Sequence, residues 1–308
     1  MTTPLLRIGT RGSPLALAQA HETRDRLCAA HGMDPASIAI EIFKTTGDAI
    51  LDRPLSEVGG KGLFTKELEV ALLEGTIDLA VHSSKDMPTV LPEGLIISAY
   101  LPREDVRDAL IAPAARSLNA LPPGSIVGTA SLRRQAMVRR VRPDLEVRII
   151  RGNVQTRLRK ITEGEASATL LALAGLRRLG LEQHATAIFS VEEFLPAVGQ
   201  GAICIETRED DERTRGLLDA IDDPETAIAL TMERAFLAVL DGSCRTPIAG
   251  HATLSGGAIR FRGMILRPDG SESHETTRYG AIGDAFRMGR DAGEELRGRG
   301  GPDFFAGL

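Results

Sequence analysis

The stretch LLRIGTRGSPLALAQAHETRDRLCAA at residues 5–30 places a short apolar segment directly before a long amphipathic one. Residues 5–9 have the length and composition of a buried β-strand. Ser13 is a good helix N-cap, and Pro14 suits the first helical turn because its missing N–H would have no helical partner there. The sequence therefore predicts a strand followed at once by a helix.

The same alternation continues through the first two thirds of the chain. Further strands are predicted at residues 38–43, 77–81, 95–99, 125–128, 147–150, 169–173 and 202–206. Further helices are predicted at residues 64–74, 132–141, 154–162 and 226–240. This pattern is typical of α/β units with parallel strands. Beyond residue 250, Ser-Gly-Gly and Pro-Asp-Gly turns followed by a helix at about 284–297 predict a small α+β domain.

Length and composition set the domain organisation. A chain of 308 residues is longer than one core usually serves, so we expect several domains. The loops LNALPPGS and FLPAVGQGA suggest a middle lobe inserted into the first one. We predict domain 1 from residues 1–101 and 200–220, domain 2 from residues 102–199, and domain 3 from residues 221–308.

The composition also excludes several protein classes. Hydrophobic residues at 43% and charged residues at 26% argue against disorder and against a coiled coil. No uncharged run supplies the roughly 20 apolar residues of a membrane helix, and the N-terminus lacks the unbroken apolar core of a secretory signal. We therefore expect a cytoplasmic protein without a membrane partner.

The three cysteines lie far apart and form no CxxC motif, which argues against a disulfide framework or a thiolate metal site. Cys28 in the first helix and Cys204 in an apolar strand are expected to be buried and inert. Cys244 lies in a tight turn beside Arg245, a neighbour that favours the thiolate. It is either a nucleophile or attachment site, or part of a structural turn.

Arginine dominates the basic residues. Lysine accounts for only five of the 37, which leaves 32 arginines, and residues 126–160 hold ten basic residues against two acidic ones. Arg11, Arg133, Arg134 and Arg157 follow or flank predicted helix starts, where a cation opposes the helix dipole. A bound anion would compensate this cost. The alternative is a solvated basic face.

The nature of such an anion can be narrowed. Residues 126–160 contain no Phe, Tyr or Trp to stack on bases, so nucleic acid is disfavoured. Lys61 is followed by Gly62 instead of Ser or Thr, so the Walker pattern fails, and no GxGxxG motif occurs. Small carboxylated or phosphorylated ligands remain.

The segment HSSKDMPT at residues 82–89 follows a predicted apolar strand. A Lys85-Asp86 pair at the carboxyl end of such a strand lies where α/β sheets bind their ligands. Asp86 is therefore either a catalytic carboxylate or a turn-forming residue. His82 is expected to be a hydrogen-bonded structural histidine, because no metal-ligand spacing accompanies it, and we expect no metal site.

Taken together and in order, nine segments resemble the porphobilinogen deaminase (hydroxymethylbilane synthase) family over essentially the whole chain. They are RIGTRGSPLALAQA (7–20), GDAILDRPLSEVGGKGLFTKELE (47–69), DLAVHSSKDMPT (78–89), REDVRDAL (103–110), GTASLRRQA (128–136), RGNVQTRL (151–158), LAGLRRLGL (173–181), LPAVGQGA (195–202) and ERAFLAVLDGSCRTPIAG (233–250).

The resemblance implies two α/β domains like those of bilobal periplasmic binding proteins, with a central cleft, and a small C-terminal α+β domain. It implies a dipyrromethane cofactor joined by a thioether to Cys244. It further implies stepwise condensation of four porphobilinogen molecules onto that primer with loss of ammonia, then hydrolytic release of hydroxymethylbilane in tetrapyrrole (haem) biosynthesis by a monomer. The alternative is a non-catalytic bilobal carboxylate-binding protein.

The resemblance also implies roles for individual residues. Asp86 is the expected catalytic residue, which would stabilise the azafulvene cation left by ammonia loss and shuttle a proton. Expected cofactor contacts are Cys244, Lys85, Asp86, Thr129, Ser131, Arg133, Arg134, Arg151 and Gly152. Expected substrate contacts are Arg11, Ser13, Gln19, Lys61, Phe64, Arg151, Arg157 and Arg178. Arginine forks suit the acetate and propionate of porphobilinogen.

Overall fold

The computed structural model describes residues 4–49, 62–240, 246–302 and 304–305, which divide into two compact units. The first unit comprises the described residues of 1–53, 59–104 and 202–227, and the second those of 105–201 and 228–308.

The strands, numbered along the chain, are β1 (Leu6–Arg11), β2 (Ile38–Phe43), β3 (Leu79–Ser83), β4 (Leu95–Tyr100), β5 (Asp108–Ile111), β6 (Ile126–Gly128), β7 (Glu146–Arg148), β8 (Ala168–Ala172), β9 (Ala187–Ile188), β10 (Ile203–Arg208), β11 (Ile248–Ser255), β12 (Ala258–Leu266) and β13 (Ser273–Ala281). The helices are α1 (Pro14–His31), α2 (Thr46–Ala49), α3 (Lys66–Leu73), α4 (Leu132–Val141), α5 (Val154–Thr162), α6 (Leu173–Arg178), α7 (Glu212–Leu218), α8 (Pro224–Val239) and α9 (Ala285–Gly300).

The first unit is built on a five-stranded sheet in the order β2-β1-β3-β10-β4. Strands β1, β2 and β3 are parallel, whereas β10 runs antiparallel to both β3 and β4. The prediction of parallel strands is therefore correct for β1 to β4, since β3 and β4 both run antiparallel to β10, and wrong for β10. Strand β10 follows the residues 105–201 of the second unit in sequence, and it lies between β3 and β4 in the sheet.

The first helix begins as the sequence predicts. The Ser13 side chain accepts a hydrogen bond from the Ala16 N–H at 3.3 Å, and Pro14 is the first helical residue. Gly32, with a φ of 65°, ends the helix in the left-handed conformation. Helix α1 buries Ala20 and Leu27 in a cluster with residues of β1 and β3, which fixes the helix against one face of the sheet.

The second unit contains a sheet in the order β7-β6-β8-β5-β9. Strands β6, β7 and β8 are parallel, and β5 is antiparallel to β8 and β9. This order repeats that of the first sheet, since in each sheet four strands run in one direction and the fourth strand in order, β10 or β5, runs against them. The unit also holds the antiparallel sheet β11-β12-β13, with α9 packed on it.

The predicted fold class is confirmed: two α/β sheets are accompanied by a small C-terminal sheet with helices. The central cleft and the three domain boundaries stay predictions. Strands β5 and β9 and helices α2, α6 and α7 were not predicted from the sequence. Strand β5 begins with the charged Asp108, and β9 is only two residues long, so neither has the pattern of a strand.

Two glycines allow α9 to approach α8 closely. A methyl group at Gly289 would overlap the Met232 carbonyl oxygen, and one at Gly293 would lie 2.7 Å from the Val239 Cβ. Gly298 on the same helix is exposed and has no atom within 4 Å of such a methyl group. Gly289 and Gly293 are therefore closely packed and Gly298 is not, although all three are helical.

We expect Gly289→Ala to lower the free energy of unfolding by roughly 1–3 kcal/mol, because the helices have to separate. Gly298→Ala should raise it by up to about 1 kcal/mol, because alanine favours a helix over glycine. Urea unfolding midpoints of the two variants and the parent test this. Equal midpoints for both variants would contradict the close packing of α8 and α9.

Candidate active site

One pocket in the first unit collects six of the residues predicted to contact substrate or cofactor. It lies where β1 and β3 end and where α1 and α3 begin, the edge at which α/β sheets bind ligands. The predicted residues that line it are Arg11, Ser13, Gln19, Phe64, Lys85 and Asp86. Thr65, His82 and Ser83 line it as well. Their roles stay predictions.

Arg11 links the two sides of this pocket. Its guanidinium Nη1 lies 3.9 Å from the Asp86 Oδ2, and its guanidinium carbon lies 4.2 Å above the Phe64 ring. The ring is attractive to the cation, so Arg11 is held between an aromatic face and a carboxylate. The Asp86 side chain keeps 30% of its surface exposed, so a ligand in the pocket can reach it.

The turn that carries Lys85 and Asp86 is held from two directions. The Gln19 Nε2 donates to the Ser83 Oγ at 2.9 Å, which ties α1 to the end of β3. The Ser84 N–H donates to the Ala202 carbonyl at 3.0 Å, just before β10. The pocket wall is therefore fixed to both neighbouring elements.

The hydrogen bond expected of His82 is not formed at its Nε2, which meets hydrogen-bond geometry with no described residue. His82 is buried, and its Nε2 lies 3.2 Å from the Glu206 Oε2 on β10. Cys28 and Cys204 are buried, as expected, and neither forms a disulfide with a described residue. Within the described ranges, no group of three His, Cys, Asp or Glu side chains could hold a metal ion.

In the second unit, the segment after β6 forms a tight start to α4. The Thr129 Oγ1 accepts from the Ser131 N–H at 3.2 Å, and the Ser131 Oγ caps the helix by accepting from the Arg134 N–H at 3.4 Å. Arg133 and Arg134 follow this cap directly, at the end of the helix where the sequence placed them.

Arg133 and Arg134 form a buried ionic cluster with Asp108. The Arg133 Nη2 lies 2.7 Å from one Asp108 oxygen, and the Arg134 Nη2 lies 2.6 Å from the other. One further donor of each arginine reaches a carbonyl, from the Arg133 Nη1 to Leu195 at 2.8 Å and from the Arg134 Nη1 to Leu170 at 3.0 Å. Burial alone would raise the pKa of Asp108, but the two guanidinium groups outweigh it and lower this pKa to about 2.

The anion that compensates these two arginines is thus a side chain of the protein. Sequence reasoning inferred a bound anion and missed Asp108, which lies 25 residues before Arg133. The available signal was the aspartate at the start of the apolar run DALI, because a charge there needs a buried partner. Contacts of Arg133 and Arg134 with the cofactor stay predictions.

The remaining predicted residues of the second unit lie near α5 and α6. Asn153 caps α5 by accepting from the Thr156 N–H at 2.9 Å, which confirms the predicted helix start. The Arg157 Nε donates to the Gly152 carbonyl at 2.9 Å, and Gly152 has a φ of 116° that other residues rarely adopt. Arg178 ends α6 and donates to the Gly201 carbonyl at 3.1 Å. Arg151 is half-buried, immediately before Gly152.

Two predicted residues, Lys61 and Cys244, lie outside the described residues. The described chain leads toward Cys244 on α8, which ends at Val239, and resumes before β11. In the part of the chain that the structure describes, no helix is long and apolar enough to cross a membrane.

Family models account for most of the chain. Residues 6–216 match the model described as "Porphobilinogen deaminase, dipyromethane cofactor binding domain", and residues 227–298 match the C-terminal domain of the same family. The chain belongs to the porphobilinogen deaminase family. The family prediction, the assignment as a transferase and the dipyrromethane cofactor are thereby confirmed.

Relatives agree with this family over nearly the full length. A porphobilinogen deaminase of Nitrobacter winogradskyi is 65% identical over 304 residues, covering 99% of this chain and 96% of the relative. One of Paracoccus denitrificans is 59% identical over 300 residues, covering 97% and 96%. Among solved structures, the methionine binding protein MetQ matches 72% of this chain and 91% of its own, at 15% identity and a TM-score of 0.45.

Proposed function

We propose that the protein condenses four porphobilinogen molecules stepwise onto a dipyrromethane primer on Cys244, releases ammonia at each step, and frees hydroxymethylbilane by hydrolysis. The observation that carries this proposal is the pocket in which Asp86 lies with Arg11 and Lys85. The substrate becomes cationic at the carbon that loses ammonia, and it carries carboxylates elsewhere. The Asp86 carboxylate suits the cationic carbon, and the Arg11 and Lys85 cations suit the carboxylates.

The residues present fit a dipyrromethane. Such a group has pyrrole N–H donors and carboxylate acceptors, and the pocket offers the Asp86 carboxylate beside cationic side chains. In the second unit, the buried Arg133 Nε donates to no described residue. We propose that the residues holding the group are Lys85, Asp86, Thr129, Ser131, Arg133, Arg134, Arg151 and Gly152, with the thioether on Cys244. When bound, the group supplies the nucleophilic pyrrole carbon.

Asp86 is the proposed catalytic residue. Loss of ammonia from the aminomethyl carbon of porphobilinogen leaves an azafulvene cation, which a fixed carboxylate stabilises without reorganising solvent. Asp86 can accept a hydrogen bond from the pyrrole N–H of that ring. It can also take up the proton that is lost after the C–C bond forms. Arg11 restricts the carboxylate from one side, at 3.9 Å.

The substrate carboxylates need several donors at once. We propose Arg11, Ser13, Gln19, Phe64, Lys61, Arg151, Arg157 and Arg178 as substrate contacts. Phe64 acts by holding the Arg11 guanidinium against its ring. The Gly152 carbonyl, which accepts from Arg157, holds that guanidinium near the start of α5.

We also infer a monomer that works in the cytoplasm on a small molecule, without nucleic acid or membrane partners. Part of the basic stretch is paired internally, because Arg133 and Arg134 share Asp108 and Arg142 pairs with Asp144 at 2.6 Å. We retain the three predicted domains, with Cys244 in the third.

The test is the intact mass of the purified protein beside its Cys244→Ser variant. We expect an adduct of two pyrrole rings on the parent, none on the variant, and release of ammonia and hydroxymethylbilane only from the parent. Cys28→Ser is the matched control and should keep the adduct. A parent that stays unmodified after incubation with porphobilinogen would favour the non-catalytic carboxylate-binding protein.

A further inference from the structure

The face of the first sheet that packs against α3 is apolar at one point and carries polar side chains further along. Ala80 on β3 packs in an apolar cluster with Leu68 of α3. His82 lies two residues further along β3 and therefore on the same face, and Glu206 is directly opposite Ala80 on β10. Glu69 of α3 covers this region, and all three polar side chains are buried. Two acids and one imidazole are thus buried in the same part of the first unit.

The contacts within this group are specific. The His82 Nε2 lies 3.2 Å from the Glu206 Oε2, with side chains only 3% and 0% exposed. Glu69 accepts a hydrogen bond from the Thr65 Oγ1 at 2.6 Å. Burial and the nearby charge of Glu206 raise the pKa of Glu69, although Thr65 and His82 act in the opposite direction. Of the two acids, Glu206 is the one whose carboxyl oxygen lies within ion-pair distance of the His82 imidazole.

The group joins the two walls of the candidate active site. His82 immediately precedes the segment that carries Lys85 and Asp86. Thr65 immediately follows Phe64, whose ring supports Arg11. The buried residues therefore connect the wall that holds the carboxylate with the wall that holds the aromatic ring.

The geometry of Asp86 needs such a support. Its distance of 3.9 Å to Arg11 is too long for a hydrogen bond, so that ion pair alone does not fix the carboxylate. The backbone of the turn has to set its position instead. That backbone continues from the last ladder pairs of β3 with β10, one of which is His82 with Cys204.

We propose that the His82–Glu206 pair positions Asp86 relative to Arg11 by locking the end of β3 against β10 and, through Glu69 and Thr65, against the start of α3. The inference rests on the proposed function, in which Asp86 acts on the substrate. His82 and Glu206 are positioning residues, since they act through the turn. A buried pair of this kind holds its two strands in one position. If one partner moved away, the other would remain buried as an unpaired charge, which would raise the free energy of the folded state.

The pair itself is tested by NMR on holoprotein labelled with ¹⁵N-histidine. We expect a slowly exchanging imidazole N–H proton that disappears in His82→Gln, which assigns it, and that changes its chemical shift in Glu206→Gln, because the carboxyl group 3.2 Å away is replaced. A His82 N–H signal unaffected by Glu206→Gln would overturn the pairing. This readout does not depend on turnover.

The positioning role is tested by steady-state kinetics of the same holoproteins. Glu206→Gln should lower kcat roughly tenfold with KM within about twofold, since small misplacements of a reacting group are costly. His82→Gln, whose amide N–H can still reach Glu206, should keep most of kcat, whereas His82→Leu should not. The matched control is Ser98→Ala, which removes the 2.6 Å side-chain hydrogen bond from β4 to Thr207 of β10, and should leave kcat unchanged.

The outcomes separate this inference from the proposed function. Parent-like kcat in both Glu206→Gln and His82→Leu would overturn the positioning role. Equal losses in His82→Gln and His82→Leu would overturn it too, because a polar group facing Glu206 would then make no difference. Normal turnover in an Asp86 variant would instead refute the proposed function, while the NMR signal would still report the pair.

Discussion

Asp86→Asn should lower kcat by about 10³-fold while the dipyrromethane adduct and the fold are retained. Asparagine keeps the size and the hydrogen-bonding oxygen of the side chain but removes the negative charge and the ability to take up a proton. The charge is needed twice, once to stabilise the azafulvene cation and once to accept the proton lost after C–C bond formation. Binding of porphobilinogen should persist, because Arg11, Ser13 and Lys85 remain in the pocket.

Single-turnover kinetics and intact mass measure these two properties separately. Asp25→Asn on the exposed face of α1, where Asp25 pairs with Arg24, is a control that changes the same charge away from the pocket. We expect its kcat to equal that of the parent. Normal turnover in Asp86→Asn would remove Asp86 from the mechanism, and an Asp86→Asn protein without adduct would show that the residue acts in cofactor assembly instead.

The parts of the fold that depend on neighbouring residues were predictable. Ser13 and Pro14 define the start of α1 within a few residues, and Asn153 does the same for α5, since capping is a local interaction. The direction of β10 was not predictable, because it depends on where a strand inserts after some hundred residues elsewhere. Periodicity reports which face of a strand is buried and carries no information about its neighbours.

The candidate site divides in the same way. The polar segment after β3 identified Lys85 and Asp86 because the carboxyl ends of strands are ligand sites. The partners of the charged residues were not predictable, since Glu206 lies far from His82 along the chain and Asp108 far from Arg134. A charged residue in an apolar segment indicates that a buried partner must exist. Only the folded structure shows which one it is.

Asp108→Ala should lower the free energy of unfolding of the second unit by about 3–5 kcal/mol, the typical result of removing one partner from a buried ion pair. Asp108 is fully buried, and three side chains donate to it: Arg133, Arg134 and Gln200, the last at 3.1 Å. Without the carboxylate, two guanidinium groups would remain in the interior without a described anionic partner for either. Urea unfolding of the holoprotein measures the loss.

A matched control is Asp144→Ala, which breaks the 2.6 Å ion pair with Arg142 at a position open to solvent. We expect it to shift the unfolding midpoint little, because water replaces an exposed partner. An equally small shift for Asp108→Ala would mean that the cluster contributes nothing net to stability. In that case the arginines would have to relax toward solvent or toward the carboxylates of a ligand.

The contribution of Asp108 should also depend on pH, with a defined sign. Its pKa is lowered to about 2 in the folded protein, so the folded state binds this proton less readily than the unfolded chain does. The stabilisation is therefore complete above the ordinary aspartate pKa of about 4 and is lost as the pH falls toward 2. The difference in unfolding free energy between parent and Asp108→Ala should be constant from pH 7 to about pH 5 and shrink below about pH 4. A difference that stayed constant to pH 3 would show that packing around Asp108, and not its charge, holds Arg133 and Arg134 in place.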